Sequence, residues 1–122
     1  MLLLSQYIIQ HELKPLRKYF ELNDILEGAE KVLKNLAIET KSPVKLSGFK
    51  FFKVRIGRKA KGRMIVFMIV NRRKVVPILI RLKKDKIFGM NMAMNNPAVV
   101  YRMNINLGHI LEDIKNKRYE EF

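Results

Sequence analysis

The apolar and polar positions divide the chain into helical stretches near both ends and a strand-rich middle. Met1 to Leu4 is an apolar tetrapeptide, expected as a short edge strand added to the sheet. Ser5 then suits a helix N-cap, its hydroxyl accepting from a free amide two or three residues on. Ile8, Ile9, Leu13, Leu16 and Phe20 recur at helical spacing, with Gln10, Lys14, Arg17 and Lys18 facing out. Pro15 lies inside that pattern and should kink or split the helix, because it removes one backbone bond and clashes with the preceding turn. A second helix is expected from an Asn23 cap, with Asp24 at the positive end of its dipole. Ile25, Leu26, Ala29, Val32, Leu33 and Leu36 form its buried stripe, and it should end between Glu39 and Pro43.

The middle of the chain changes period. FKFFKVRI, RMIVFMIV and KVVPILIRL are short runs rich in Val, Ile and Phe, separated by the polar dividers GRKAKG and NRRK. Such runs read as strands joined by hairpin loops. Pro77 in the third run points to a sheet edge or a bulge. Met90, Met92 and Met94 then alternate with small or amide residues, as gap-filling side chains at the end of a sheet would. Pro97 fits a first helical position behind an Asn96 or Asn95 cap. Val99, Val100, Met103, Leu107, Ile110, Leu111 and Ile114 carry a last helix to about Lys117, and the charged tail beyond should fray. The order β–α–α–β–β–β–(β)–α predicts an α+β fold in one domain, residues 1–122. A small antiparallel sheet packs against two N-terminal helices on one side, with a C-terminal helix.

Charge alters this picture more than composition does. Of 25 Lys and Arg in the chain, 16 fall among the 46 residues from Lys41 to Lys86, where Asp85 is the only acid. That segment carries 16 − 1 = +15, while the rest, with 9 bases and 10 acids, is nearly neutral. An inert surface interleaves both signs, so the excess reads as the footprint of a polyanion-binding face. Absence of Cys excludes a disulfide scaffold and thiol chemistry, and fits a reducing compartment. His11 and His109 stand far apart in sequence and in no metal-ligand spacing, so they read as helix-face residues without chemistry. The longest apolar run, the seven residues Met64 to Val70, is far short of a membrane span. The first residues lack the basic start of a secretory leader, so a cytoplasmic protein is expected.

Hairpin registers follow from the loops. Pairing Val70 with Val75 across NRRK puts Arg81 opposite Met64. Pairing Gly57 with Gly62 puts Arg55 opposite Met64 and Lys53 opposite Val66. Lys53, Arg55 and Arg81 then share one face, since opposed residues point the same way. Phe52, Val54, Ile56, Ile65, Phe67, Ile69, Ile78 and Ile80 fill the other, with Arg63 among them at the strand end. A slip of one residue would redistribute the whole set.

Two helices followed by KLSGFKFFKVRIGRKAKGRMIVFMIV and a hairpin into VVPILIRLKKDK resemble the RelE/ParE superfamily of bacterial toxins, most closely from Lys45 to Lys86. The resemblance implies a metal-independent, cofactor-free endoribonuclease acting on messenger RNA, often on the ribosome, and held inactive by an acidic antitoxin. Lys53 and Arg55 match the paired basic positions of the first hairpin strand, and Arg63 the Arg that opens the next. Lys84, or its neighbour Lys83, matches the basic residue after the last long strand. The family's C-terminal Tyr has no clear counterpart: Phe88 stands near its place and Tyr101 is the next Tyr downstream. Attack by a 2′-hydroxyl needs a base, cationic support for the crowded phosphate and an acid for the leaving oxygen. A Lys serves as base only where neighbouring cations or burial lower its pKa. The candidate catalytic set is therefore Lys53, Arg55, Arg63 and Lys84. Lys59, Lys61, Arg81, Lys83 and Lys86 are candidate phosphate contacts, Arg81 together with Arg63 suiting a bidentate grip. Two other readings fit the same charge: a ParE-like inhibitor of DNA gyrase, and an RNA-binding module without catalysis.

Overall fold

The computed structural model describes residues 1–42, 47–88 and 92–122. Pro43, the expected limit of the second helix, Lys45 at the start of the family-like stretch, and Met90 lie outside these. The class is α+β. Strands β2 (Ile38–Thr40), β3 (Phe49–Ile56), β4 (Gly62–Ile69) and β5 (Lys74–Leu82) form an antiparallel sheet in the order β2-β3-β4-β5.

Met1 to Leu4 does not extend that sheet. Strand β1 (Leu3–Ser5) pairs antiparallel with β6 (Tyr119–Glu121), so the charged tail expected to fray is a strand. A single parallel bridge, Leu2 to Val75, ties this two-stranded ribbon to the outer edge of β5. Ser5 caps helix α1 (Gln6–Ile8) as expected, its hydroxyl accepting from the Ile8 amide. The helix continues as a wide π turn over Ile9–Leu13 and a tight 3₁₀ turn over Lys14–Leu16, where Pro15 ends it. Helix α2 (Leu22–Leu33) starts two residues before the expected position. Its cap is Glu21, which exchanges bonds reciprocally with Asp24, and the Glu21 amide donates to Asp24 Oδ2 at 2.8 Å. It stops at Leu33, ahead of the expected 39–43, because Asn35 takes a left-handed conformation (φ 60°) and the chain turns into β2.

Helices lie on both faces of the sheet, where one face was expected. Helix α2 buries Ile25, Ala29 and Val32 against Phe52, Val54, Ile56, Met64, Val66 and Ile80. Helix α3 (Pro97–Lys115), capped by Asn96 with Pro97 leading, covers the opposite face. There Val99, Met103, Leu107 and Ile110 meet Phe51, Ile65, Phe67, Val76, Ile78 and Leu79. The reason is visible in β4, where Met64 to Phe67 are all buried, so both faces need a partner. Met92 fills the second core, as a gap-filling methionine would.

Neither hairpin closes on the expected pair, and that moves the site. Ile56, rather than Gly57, pairs with Gly62, because Gly57 (φ 80°) turns out of the ladder and Lys59 and Ala60 follow in left-handed conformations. In the second hairpin Ile69 pairs with Lys74 instead of Val70 with Val75. Pro77 does sit beside a bulge: the register shifts between Ile65 and Val66, and Ile78 is the extra residue. Ile65, Phe67, Ile69 and Ile78 therefore leave the face assigned to them and join the α3 side.

Phe20 wedges against the end of the first hairpin. A Cβ on the buried Gly62 would lie 2.6 Å from Phe20 Cε1 and 2.9 Å from Ile56 Cγ1, and closer still to Phe20 Cζ. A ring pinned in a packed core cannot yield as a flexible chain end does. Gly62→Ala is expected to cost about 2–3 kcal/mol, the upper range for overpacking, read as a lower urea midpoint at unchanged slope.

Candidate nucleic-acid interface

The corrected registers create a row of three arginines. Arg55 lies directly opposite Arg63 on β3 and β4, and Arg63 directly opposite Arg81 on β4 and β5. Opposed residues in an antiparallel pair are about 5 Å apart at the backbone and share a face. Arg63 thus belongs with Arg55 and Arg81, not with the apolar set where it was expected. Lys53 lies one step along the same face, opposite Ile65. Like charges set side by side destabilise a sheet, so the row is an electrostatic cost unless an anion lies across it. The effect registers at Arg63: burial, followed by the neighbouring Arg55, lowers its pKa from the usual arginine value.

Each arginine is held differently. Arg63 donates from Nη1 to the carbonyls of Ala60 (2.6 Å) and Gly62 (3.0 Å), so it braces the hairpin that carries it. Arg55 is exposed, and among the described residues its guanidinium has no ion pair. Arg81 is half-buried and committed to Glu12 through a short ion pair from Nη1, which also donates to the Ile80 carbonyl (2.8 Å). The Arg81 guanidinium also lies over the Phe88 ring, 4.6 Å from its centre. Arg81 was expected as a free phosphate grip; half of its fork is already taken.

Glu12 is the residue the sequence reading missed. It is 3% exposed and takes three donors: the Ile80 amide (2.8 Å), Arg81, and Asn106 Nδ2 (3.3 Å). Asn106 in turn donates to the Ile78 carbonyl at 2.8 Å. Helix α1's extension and α3 thereby satisfy backbone groups along the outer edge of β5, next to its bulge. Burial raises the Glu12 carboxyl above its ordinary value, against the pull of Arg81 and the bonds from Ile80 and Asn106.

The remaining cations do not join one surface, contrary to the single basic face that was expected. Lys59, Lys61, Lys83 and Lys84 surround Tyr19 and Leu82 in a pocket of about 440 Å³ at the β3–β4 turn and the end of β5. Lys61 Nζ stands 5.9 Å from the Tyr19 ring centre, and the Lys83 amide donates to the Lys61 carbonyl at 2.7 Å. Lys84 is thus grouped with the turn lysines and away from the arginine row. Lys86 is exposed beyond β5. Lys50 pairs with Met68, on the α2 side. Arg73 donates to the Leu33 carbonyl, and Lys74 pairs with Glu121, both at the far end of the sheet. Loop length disperses the run: each hairpin sends its own basic turn to an opposite end.

His11 and His109, read as unrelated, both stack on the Tyr7 ring, with centroids at 4.3 and 4.2 Å. Among the described residues no cluster of His, Asp and Glu could hold a metal ion, and no helix is long and apolar enough to cross a membrane. The chain matches no family model, no curated protein and no solved structure.

Proposed function

We propose that the protein binds RNA and acts as a toxin of the RelE/ParE kind, a metal-independent endoribonuclease that cuts messenger RNA, on the ribosome, in the cytoplasm. The observation that carries this reading is the row Arg55–Arg63–Arg81, three arginines at opposed positions of adjacent strands with Glu12, among the described residues, as the one carboxylate paired to them. A sugar–phosphate backbone is the ligand whose repeated charge matches such a row. The resemblance makes Lys53 and Arg55 the catalytic pair, and Arg63 lies opposite Arg55 across the hairpin. The Tyr19 pocket adds a second contact of a kind common in single-strand binding, an aromatic ring among lysines. Lys84 acts there, with Lys59, Lys61 and Lys83, in holding the strand. The natural inhibitor of this surface is an acidic antitoxin segment that covers the arginines and folds on binding.

The test is cell-free translation of a reporter message with the purified protein, with mapping of new RNA ends and a gyrase supercoiling assay in parallel. Arrest with discrete cleavage ends on ribosome-bound message is the expected result. Inhibited supercoiling with intact message would shift the reading to a ParE-like gyrase inhibitor. RNA binding without cleavage would leave an RNA-binding module, and no binding at physiological salt would overturn the RNA reading.

A further inference from the structure

Beside the arginine row lies a pocket of about 390 Å³ that the RNA reading does not use. Its walls include His11 and Glu12 from the first helical stretch, Arg81 from β5, Phe88 beyond that strand, and Tyr101 and Arg102 from α3. The volume falls in the range of small-ligand sites and suits one nucleotide. Two features set the sign of its ligand. Glu12 has both oxygens engaged by Ile80, Arg81 and Asn106, so the pocket's one acid is spent. Arg102 is half-buried, and among the described residues it has no ion pair or hydrogen bond. Arg81 uses Nη1 alone for its bonds, which leaves Nε and Nη2 as donors. The pocket thus has an excess of cationic donors and no available acceptor charge, which favours an anion over a metal ion.

The walls also carry more than an anion site needs. Tyr101 is 64% exposed, the Arg81 guanidinium lies over the Phe88 ring, and the exposed Ile87 lines the same pocket. Aromatic rings lining one pocket with two guanidinium groups suit a base attached to a phosphate. His11 lines this pocket and stacks on Tyr7, whereas His109 contacts the Tyr7 ring from a separate hollow.

We propose that this pocket is a nucleotide site, taking the phosphate between Arg102 and the open edge of Arg81 and the base against Tyr101 and Phe88, with His11 at its wall. This deepens the RNA reading and rests on it in one respect: Arg81 ends the arginine row, so a strand lying across the row delivers its next nucleotide here.

The experiment is a nuclear magnetic resonance titration of the full chain with adenosine 3′-monophosphate, following the ring protons of both histidines. His11 should shift with a saturable curve and by several times more than His109, which lies outside the pocket and reaches it only through Tyr7. Arg102→Ala should weaken the nucleotide at least tenfold. Tyr101→Ala should weaken it several-fold while leaving inorganic phosphate binding unchanged. Inorganic phosphate alone should bind at least tenfold more weakly than the nucleotide, and a short single-stranded RNA should displace it. The site is overturned if His11 and His109 shift alike, if Arg102→Ala binds as wild type, or if phosphate binds as tightly as the nucleotide. Nucleotide bound by a protein that ignores RNA would uphold the pocket and sink the RNA reading; RNA that binds without displacing the nucleotide would sink this assignment and spare that reading.

Discussion

Glu12→Ala should lower stability by about 3–5 kcal/mol, the usual cost of removing one partner from a buried ion pair. Three donors lose their acceptor at once: the Ile80 amide, the Asn106 amide and Arg81. Asn106 Oδ1 is already buried without a partner, so the site starts with one unsatisfied polar atom and the variant adds to it. For a chain of this size the loss corresponds to a fall in melting temperature of roughly 10–20 °C. Glu12→Gln should lose less, since its amide oxygen still accepts from Ile80, although its amide nitrogen then meets that of Asn106. A melting curve unchanged by Glu12→Ala would show that the network adds nothing to the fold.

The two variants also separate by pH. A carboxyl raised above its ordinary value of 4.5 binds its proton more tightly in the folded chain than in the unfolded one. Between that value and the higher folded one, the native state holds more protons, so stability from this group falls as pH rises. Gln does not titrate. The stability gap between wild type and Glu12→Gln should therefore be widest below 4.5 and narrow as pH climbs toward neutrality. A gap that widens with pH instead would mean that Arg81 and the hydrogen bonds outweigh burial.

These features were unequally legible in the sequence. The apolar stripes of α2 and α3 were plain, because a face that meets a sheet must repeat at helical spacing. The strands themselves were plain too, and Pro77 marked its bulge. The registers were not, because each depends on where one turn residue leaves the ladder: Gly57 at φ 80° ends β3 at Ile56, and Arg73 at φ 49° starts β5 at Lys74. One residue of slip carried Arg63 from the apolar group into the arginine row. Burial on both faces was foreshadowed by the unbroken apolar run Met64 to Val70, which lacks the alternation of a half-solvated strand. Glu12 and Asn106 had a usable signal. Glu12 follows Ile8 by four residues and Asn106 follows Met103 by three, so each interrupts a buried stripe. A polar residue there must find partners inside. The stacking of both His11 and His109 on Tyr7 had no sequence signal at all, since it depends on how the first helical stretch and α3 pack about that ring.

Arg55→Ala with Arg63→Ala should abolish function while sparing the fold. Each guanidinium that grips a phosphate contributes about 1.5 kcal/mol or more through a charged hydrogen bond, so the pair should cost roughly a hundredfold in RNA affinity. Two fewer phosphates neutralised should also flatten the dependence of log affinity on log salt by about 1.4 for a single strand. On the folded side, removing two opposed cations relieves repulsion across β3 and β4, whereas the loss of Arg63's bonds to Ala60 and Gly62 frees the turn they brace. These oppose each other, and the net change should stay within about 1 kcal/mol. Growth arrest on expression in a host cell should disappear with the double variant, and thermal melting should confirm that it is folded. Arg73→Ala, at the far end of the sheet, is the matched control: it removes one charge from the chain and should leave arrest intact. If the double variant arrests growth as fully as Arg73→Ala does, the arginine row is a structural feature and the phosphate path lies elsewhere, through the lysines around Tyr19.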